Sequence, residues 1–172
     1  MKILFTTLLA VTLAALTSLA DVSVKISDVH LCCGKCVNGV KKAAATVPGV
    51  TADINADEGT VTLTAADKDT LQKGGDALTD AGYFGTLPAD APIKLSTDTG
   101  AKGAKVSKLT IAGVHLCCGK CVKAANEALA KVPGVTGNTA TKGAKTFDVT
   151  GDFTDTDVIA ALQKIGLTGK IQ

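Results

Sequence analysis

Nine residues occur twice: Val29-His30-Leu31-Cys32-Cys33-Gly34-Lys35-Cys36-Val37 returns as Val114-His115-Leu116-Cys117-Cys118-Gly119-Lys120-Cys121-Val122. The two copies hold all six cysteines and both histidines of the 172-residue chain. Thiolate and imidazole bind soft and borderline transition metals. Confining every one of them to two short segments points to metal binding, with Cys32, Cys33, Cys36, Cys117, Cys118, Cys121, His30 and His115 as candidate ligands. Cys33/Cys36 and Cys118/Cys121 are the strongest pairs. At a spacing of three, both sulfurs can lie on one side of a first helical turn and close on one ion. Cys32 and Cys117 are alternatively small buried thiols, because adjacent side chains tend to point apart.

The elements that must position these loops follow from periodicity. The duplication runs beyond the motif: residues 29–50 and 114–135 agree at 15 of 22 positions with a constant offset of 85. Both copies end in Val-Pro-Gly-Val. Val22, Val24 and Ile26 alternate with polar residues before the first motif, as Leu109 and Ile111 do before the second, which is a half-buried strand pattern. After each motif an apolar face recurs at helical spacing, through Val37, Val40, Ala44 and Val47, and through Val122, Ala125, Leu129 and Val132. Pro48 and Pro133 stop these helices, because proline disfavours helical geometry in the residue before it.

Strands are expected over 50–56 and 60–65, and over 135–140 and 146–150, each pair flanking a turn. A second helix follows, with Leu71, Gly74, Leu78 and Ala81 on one face in the first copy. Val158, Leu162 and Ile165 share the corresponding face, with Thr154 and Asp157 as a cap signal. Gly74 and Gly75 weaken the first of these helices. Short strands over 83–87 and 167–171 close the units. The order βαββαβ, twice, gives an α+β fold class: two tandem ferredoxin-like domains, each a four-stranded antiparallel sheet with two helices on one face. Domain 1 is expected over 21–87 and domain 2 over 106–172. The Pro/Gly/Ser/Asp-rich stretch 88–105 reads as a linker that lets them move relative to each other.

In that order each motif sits between the first strand and the first helix. The helix N-terminus there presents unpaired N–H groups and a positive dipole end, both of which favour thiolate. Lys35 and Lys120 add positive charge, and Gly34 and Gly119 give the bend backbone freedom. Leu31 and Leu116 are expected to tuck under the loops.

Bulk properties narrow the remaining classes. Lys2, an apolar run over 3–16 and Ser18-Leu19-Ala20 form a secretory signal peptide over 1–20, with cleavage expected after Ala20 and a periplasmic or secreted product. No later stretch is apolar enough to cross a membrane. All 18 basic side chains are lysine, interspersed with 16 acids, and aromatics are 3% of the chain. Nucleic-acid binding wants a basic stripe and stacking rings, and this interspersed charge with few aromatics gives it no support. Export favours disulfides, yet three cysteines per copy leave an odd thiol in each.

At these residues the chain resembles the heavy-metal-associated domains of copper chaperones, periplasmic mercury-binding proteins and metal-pumping ATPases, whose loop reads Gly-Met-x-Cys-x-x-Cys. Cys33-Gly34-Lys35-Cys36 and Cys118-Gly119-Lys120-Cys121 match its Cys-x-x-Cys. Leu31 and Leu116 stand at the methionine position, His30 and His115 replace the glycine, and Cys32 and Cys117 fill the variable position. Ala81-Gly82-Tyr83 adds to the likeness, which implies that Tyr83 lies near the metal; the second copy has Leu167 there. The resemblance implies a non-enzymatic carrier that exchanges its ion with a metal-transporting membrane protein or another metal carrier. Two thiolates suit Cu(I). A third thiolate and a histidine also suit Zn(II) or Cd(II), since Cys3His is a zinc ligand set. One ion per domain and one ion shared between domains are both compatible with the sequence. Two other classes stay open: a thiol–disulfide oxidoreductase using Cys33-Gly34-Lys35-Cys36, and a disulfide-tied structural or interaction protein.

Overall fold

The computed structural model describes residues 21–172; the expected signal peptide lies outside the described residues. The first unit contains β1 (Val22–Ile26), α1 (Gly34–Ala45), β2 (Thr51–Asn55), β3 (Thr60–Ala65) and α2 (Lys68–Asp80). The second contains β4 (Lys105–Ala112), α3 (Gly119–Leu129), β5 (Val135–Asn138), β6 (Thr146–Thr154), α4 (Asp155–Gln163) and β7 (Lys170–Ile171).

Both sheets are antiparallel. Their strand orders are β1-β3-β2 and β5-β6-β4-β7. In β1, alternation puts Val24 and Ile26 in the core while Lys25 faces solvent. The helices lay their apolar faces on the same layer, with Cys36, Val40 and Leu71 almost without exposure in the first unit and Cys121, Ala125 and Leu162 in the second. This mixed arrangement, four helices on two antiparallel sheets, is compatible with the ferredoxin-like pattern.

The closing strands differ from the expectation. Residues 83–87 form no strand and make only two isolated bridges, Ser27 with Thr86 and Tyr83 with Leu167. The first sheet therefore has three strands rather than four. The reason is a competing partner: Tyr83 pairs with the other unit, and only Thr86 returns to lie beside Ser27. Pro88, which has no N–H to donate, then ends any ladder. In the second unit only Lys170–Ile171 joins the sheet, beside β4.

The segment between α2 and β4 is not a loose tether. Ile93, Leu95 and Thr99 are buried. The Gln72 amide donates to the Lys94 carbonyl at 2.7 Å and accepts the Lys94 N–H at 2.9 Å. A Cβ on Gly75 would lie 2.9 Å from Ile93 Cδ1, and one on Gly74 would lie 3.0 Å from Val50 Cγ1. The two glycines that weaken α2 are thus where the linker and β2's approach pack closest. At its far end Asp155 accepts the N–H groups of Lys102, Gly103 and Ala104 at 2.8–3.0 Å. Thr154 is the N-cap residue of α4, but its side chain makes no capping bond.

Candidate metal centre

Both motifs begin in loops and end in helices. Cys33 and Cys118 occupy the N-cap positions of α1 and α3 with extended backbone, and neither side chain makes a capping hydrogen bond. The thiols stand where a Ser or Asp would usually accept a helix N–H. Leu31 and Leu116 are buried beneath the loops, as their apolar character requires. Gly34 and Gly119 do not supply the expected freedom. Neither has a positive φ, and a Cβ at either would meet nothing within 4 Å. What they leave is open space on the solvent side of the cysteines.

The two loops meet. Gly82 and Gly166 follow α2 and α4 with φ of 84° and 77°. Each closes its helix as a C-terminal turn, with Tyr83 N–H on the Leu78 carbonyl and Leu167 N–H on the Leu162 carbonyl. This is the usual reason for a left-handed glycine there. Here the same glycines also face the other unit. A Cβ on Gly82 would overlap the Gly113 carbonyl, and one on Gly166 would overlap the Asp28 carbonyl. The Gly166 carbonyl accepts the N–H groups of His30 and Phe84, and the Gly82 carbonyl accepts that of Thr168. The backbones of the two units are thus hydrogen-bonded beside their motifs.

All six sulfurs consequently form one cluster. Ten sulfur–sulfur pairs lie 3.4–3.9 Å apart. Six of the ten cross between the loops, the shortest being Cys32–Cys121 at 3.4 Å. No disulfide is formed. Cys32 and Cys117, which neighbouring geometry left as possible core thiols, join the cluster with the other four. The sets Cys32/Cys33/Cys118, Cys33/Cys36/Cys117, Cys117/Cys118/Cys121 and His30/Cys32/Cys121 each fall within 4.8 Å.

The electrostatics divide the thiols. The Cys36 N–H, opposed by burial and helped by the Lys35 N–H, holds Cys33 below its ordinary pKa. The Cys121 N–H does the same for Cys118, down to about 6. Burial pushes Cys121 up to about 11, and it also raises Cys32 and Cys117. Thiolate is therefore favoured at the helix N-termini and disfavoured deeper in the cluster. Burial keeps both histidines below their usual pKa, so they are neutral and able to donate a lone pair. Both Nε2 atoms are buried without a partner. His30 reaches Cys32 and Cys121. His115 stacks on the Tyr83 ring, centroids 4.5 Å apart at 30°.

Tyr83 lies beside the site, as the resemblance implied. It is 1% exposed and donates its hydroxyl to the Cys36 carbonyl at 2.9 Å. Its ring occupies space that any side chain on Gly39 would take: a Cβ there would overlap the Tyr83 hydroxyl. The second copy pairs Ala124 with Leu167 at the same places. This exchange of Gly/Tyr for Ala/Leu was readable in the duplication, but only once residues 39 and 83 are known to touch.

Fold and site together define an α+β protein of two duplicated units around a single inter-unit thiol cluster. No protein-family model and no curated protein matches the chain. Among solved structures, the N-terminal soluble domains of Bacillus subtilis CopA match 89% of this chain and 95% of their own, at 18% identity and a TM-score of 0.33. A structure described under crosstalk between Cu(I) and Zn(II) homeostasis matches 40% of this chain and all of its own, at 24% identity and a TM-score of 0.33. At that similarity neither assigns a ligand here, and the functional reading rests on the cluster itself.

Proposed function

We propose that the protein is a non-enzymatic carrier or buffer for a soft thiophilic metal, Cu(I) or Zn(II)/Cd(II), built from two tandem heavy-metal-associated domains whose loops act as one shared site. The observation that carries this reading is the convergence of six unbridged sulfurs from two loops 85 residues apart. Six thiols held in mutual contact and left unpaired have few uses other than metal. The sulfur spacing fits ions of higher coordination than two. At a metal–sulfur distance of about 2.3 Å, a tetrahedral set has edges of about 3.8 Å and a linear pair spans about 4.6 Å.

The signal-like segment over residues 1–20 supports a carrier that is exported and cleaved after Ala20. Its ion would pass by ligand exchange to a metal-transporting membrane protein or another carrier. The open space over Gly34 and Gly119 supplies the approach for an incoming thiolate. Native mass spectrometry of reduced protein with competing Cu(I), Zn(II) and Cd(II) tests this. Tight uptake that is weakened and reduced in capacity by Cys33→Ser with Cys36→Ser is expected, and no uptake at micromolar metal refutes it.

One observation favours a second reading. Low-pKa Cys118 beside high-pKa Cys121 is the asymmetry of a dithiol exchange site, as in thiol–disulfide oxidoreductases. Against it, Cys118 also contacts Cys32 and Cys33, which would divert any mixed disulfide. Insulin reduction faster than a free-dithiol control would favour this alternative.

A further inference from the structure

The contacts among the six sulfurs have a definite pattern. Each of Cys36 and Cys121 touches four others. Three pairs are absent from the ten contacts and together use every sulfur once: Cys32/Cys117, Cys33/Cys121 and Cys36/Cys118. The two remaining pairs, Cys32/Cys33 and Cys117/Cys118, are chain neighbours within 4.8 Å of each other. Three opposed pairs with all other pairs adjacent is the connectivity of an octahedron.

An octahedron has no four mutually adjacent corners, so no four of these sulfurs make a tetrahedral pocket. It has triangular faces instead. The three all-cysteine sets already named, Cys32/Cys33/Cys118, Cys33/Cys36/Cys117 and Cys117/Cys118/Cys121, share single corners and no edges. They belong to one of the two sets of four alternate faces; the complementary set, which includes Cys32/Cys118/Cys121 with edges of 3.5, 3.4 and 3.6 Å, is as closely spaced. The fourth face of the first set is Cys32/Cys36/Cys121, with edges of 3.7, 3.4 and 3.8 Å. Every sulfur belongs to two of the four faces.

On the reading of this chain as a soft-metal carrier, we propose that the cluster is the frame of a tetranuclear Cu(I) cage, with one three-coordinate ion on each alternate face and every thiolate bridging two ions. An edge of about 3.7 Å puts a face centre about 2.1 Å from each corner, so a slight expansion reaches a thiolate bond length of about 2.3 Å. Three-coordinate sites with soft bridging thiolates suit Cu(I), whereas Zn(II) wants four ligands and finds no four-sulfur set without rearrangement. Counted from six neutral thiols, four Cu(I) ions displace six H⁺, and any cysteine already ionised gives up none. No electrons move, and the cage carries two negative charges. The N-termini of α1 and α3, whose first turns begin at the motif cysteines, present their positive dipole ends to that charge. His30, neutral and with its Nε2 unpartnered, stands beside the fourth face through Cys32 and Cys121.

The test is anaerobic titration of the reduced chain with the Cu(I)–acetonitrile complex, read by native mass spectrometry and copper-edge X-ray absorption. The expected result is cooperative filling to four ions, three sulfurs per copper and a short Cu···Cu path of about 2.7 Å, two-thirds of the expanded sulfur edge of about 4.0 Å. Cys32→Ser removes a corner of two faces and leaves Cys33/Cys36/Cys117 and Cys117/Cys118/Cys121 complete, so capacity falls from four to two. Folding of that variant is checked by circular dichroism. The wild-type Cu···Cu path stands as evidence independent of any variant. Saturation at one or two ions without that path, unchanged by Cys32→Ser, overturns the cage and leaves the carrier reading intact. Absence of tight uptake overturns both.

Discussion

Gly39→Ala should destabilise the protein, against the ordinary preference of helices for alanine. Gly39 lies inside α1, where the exchange alone should stabilise by about 1 kcal/mol. The new Cβ, however, would overlap the Tyr83 hydroxyl and lie 3.0 Å from His115 Cε1. Overpacking of this kind costs about 1–3 kcal/mol. Displacing the hydroxyl from the Cys36 carbonyl leaves a buried polar group unsatisfied, at about 1–3 kcal/mol more. The net expectation is a loss of about 3 kcal/mol, read by urea unfolding of the reduced, metal-free chain. The second copy supplies the control, because it carries Ala124 and Leu167 at the corresponding positions. In a Tyr83→Leu background the overlap with the hydroxyl and the orphaned hydroxyl are both gone, only the 3.0 Å approach to His115 Cε1 remains, and Gly39→Ala should cost far less or become neutral. Equal effects of Gly39→Ala in both backgrounds, or a more stable single variant, would refute the packing account.

Three further outcomes follow from other parts of the molecule. With reduced, metal-free protein at pH 7, iodoacetamide should label Cys118 first, since its pKa near 6 makes it mostly thiolate, and Cys32 and Cys117 last; peptide mapping over time checks the order, and uniform labelling would contradict it. Asp155→Ala should cost about 2 kcal/mol by stranding the Lys102, Gly103 and Ala104 N–H groups. Burial alone would raise the Asp155 pKa, but those N–H groups and that of Thr156 hold it below the usual value. Its stabilisation is therefore complete above pH of about 4 and lost as pH falls through the lower folded value, so the variant should show less of the wild type's acid-induced loss in unfolding experiments. Ile93→Ala should cost about 2–4 kcal/mol and expose residues 88–104 to limited proteolysis; an uncut linker would show that Ile93 does not hold it to α2.

The element order was legible in the sequence because each element has a clear period. β1 alternates, α1 and α3 repeat an apolar face, and the prolines and glycines mark the stops. What was not legible depended on contacts between distant segments. Ile93 and Leu95 read as stray apolar residues in a polar stretch, since only the fold supplies the α2 surface that buries them. The short strand over 83–87 was lost because Tyr83 had a second partner in Leu167. Asp67, whose carboxylate accepts the Thr70 N–H at 2.7 Å to cap α2, carried an ordinary local signal that was missed. The site divides the same way. Ligand types and spacing named all six cysteines. That they form one cluster depends on Gly82 and Gly166, whose lack of a side chain lets the units approach backbone to backbone.

The central claim is that two loops make one site. Its most direct test is the metal affinity of a chain with Cys117, Cys118 and Cys121 all replaced by serine, measured by competition with a chromogenic chelator. The intact loop keeps Cys32, Cys33 and Cys36 but loses every sulfur across the interface. A shared site predicts that its affinity falls by at least about tenfold, or about 1.4 kcal/mol, along with the capacity. Wild-type affinity at half the capacity would mean two independent sites and would contradict the account.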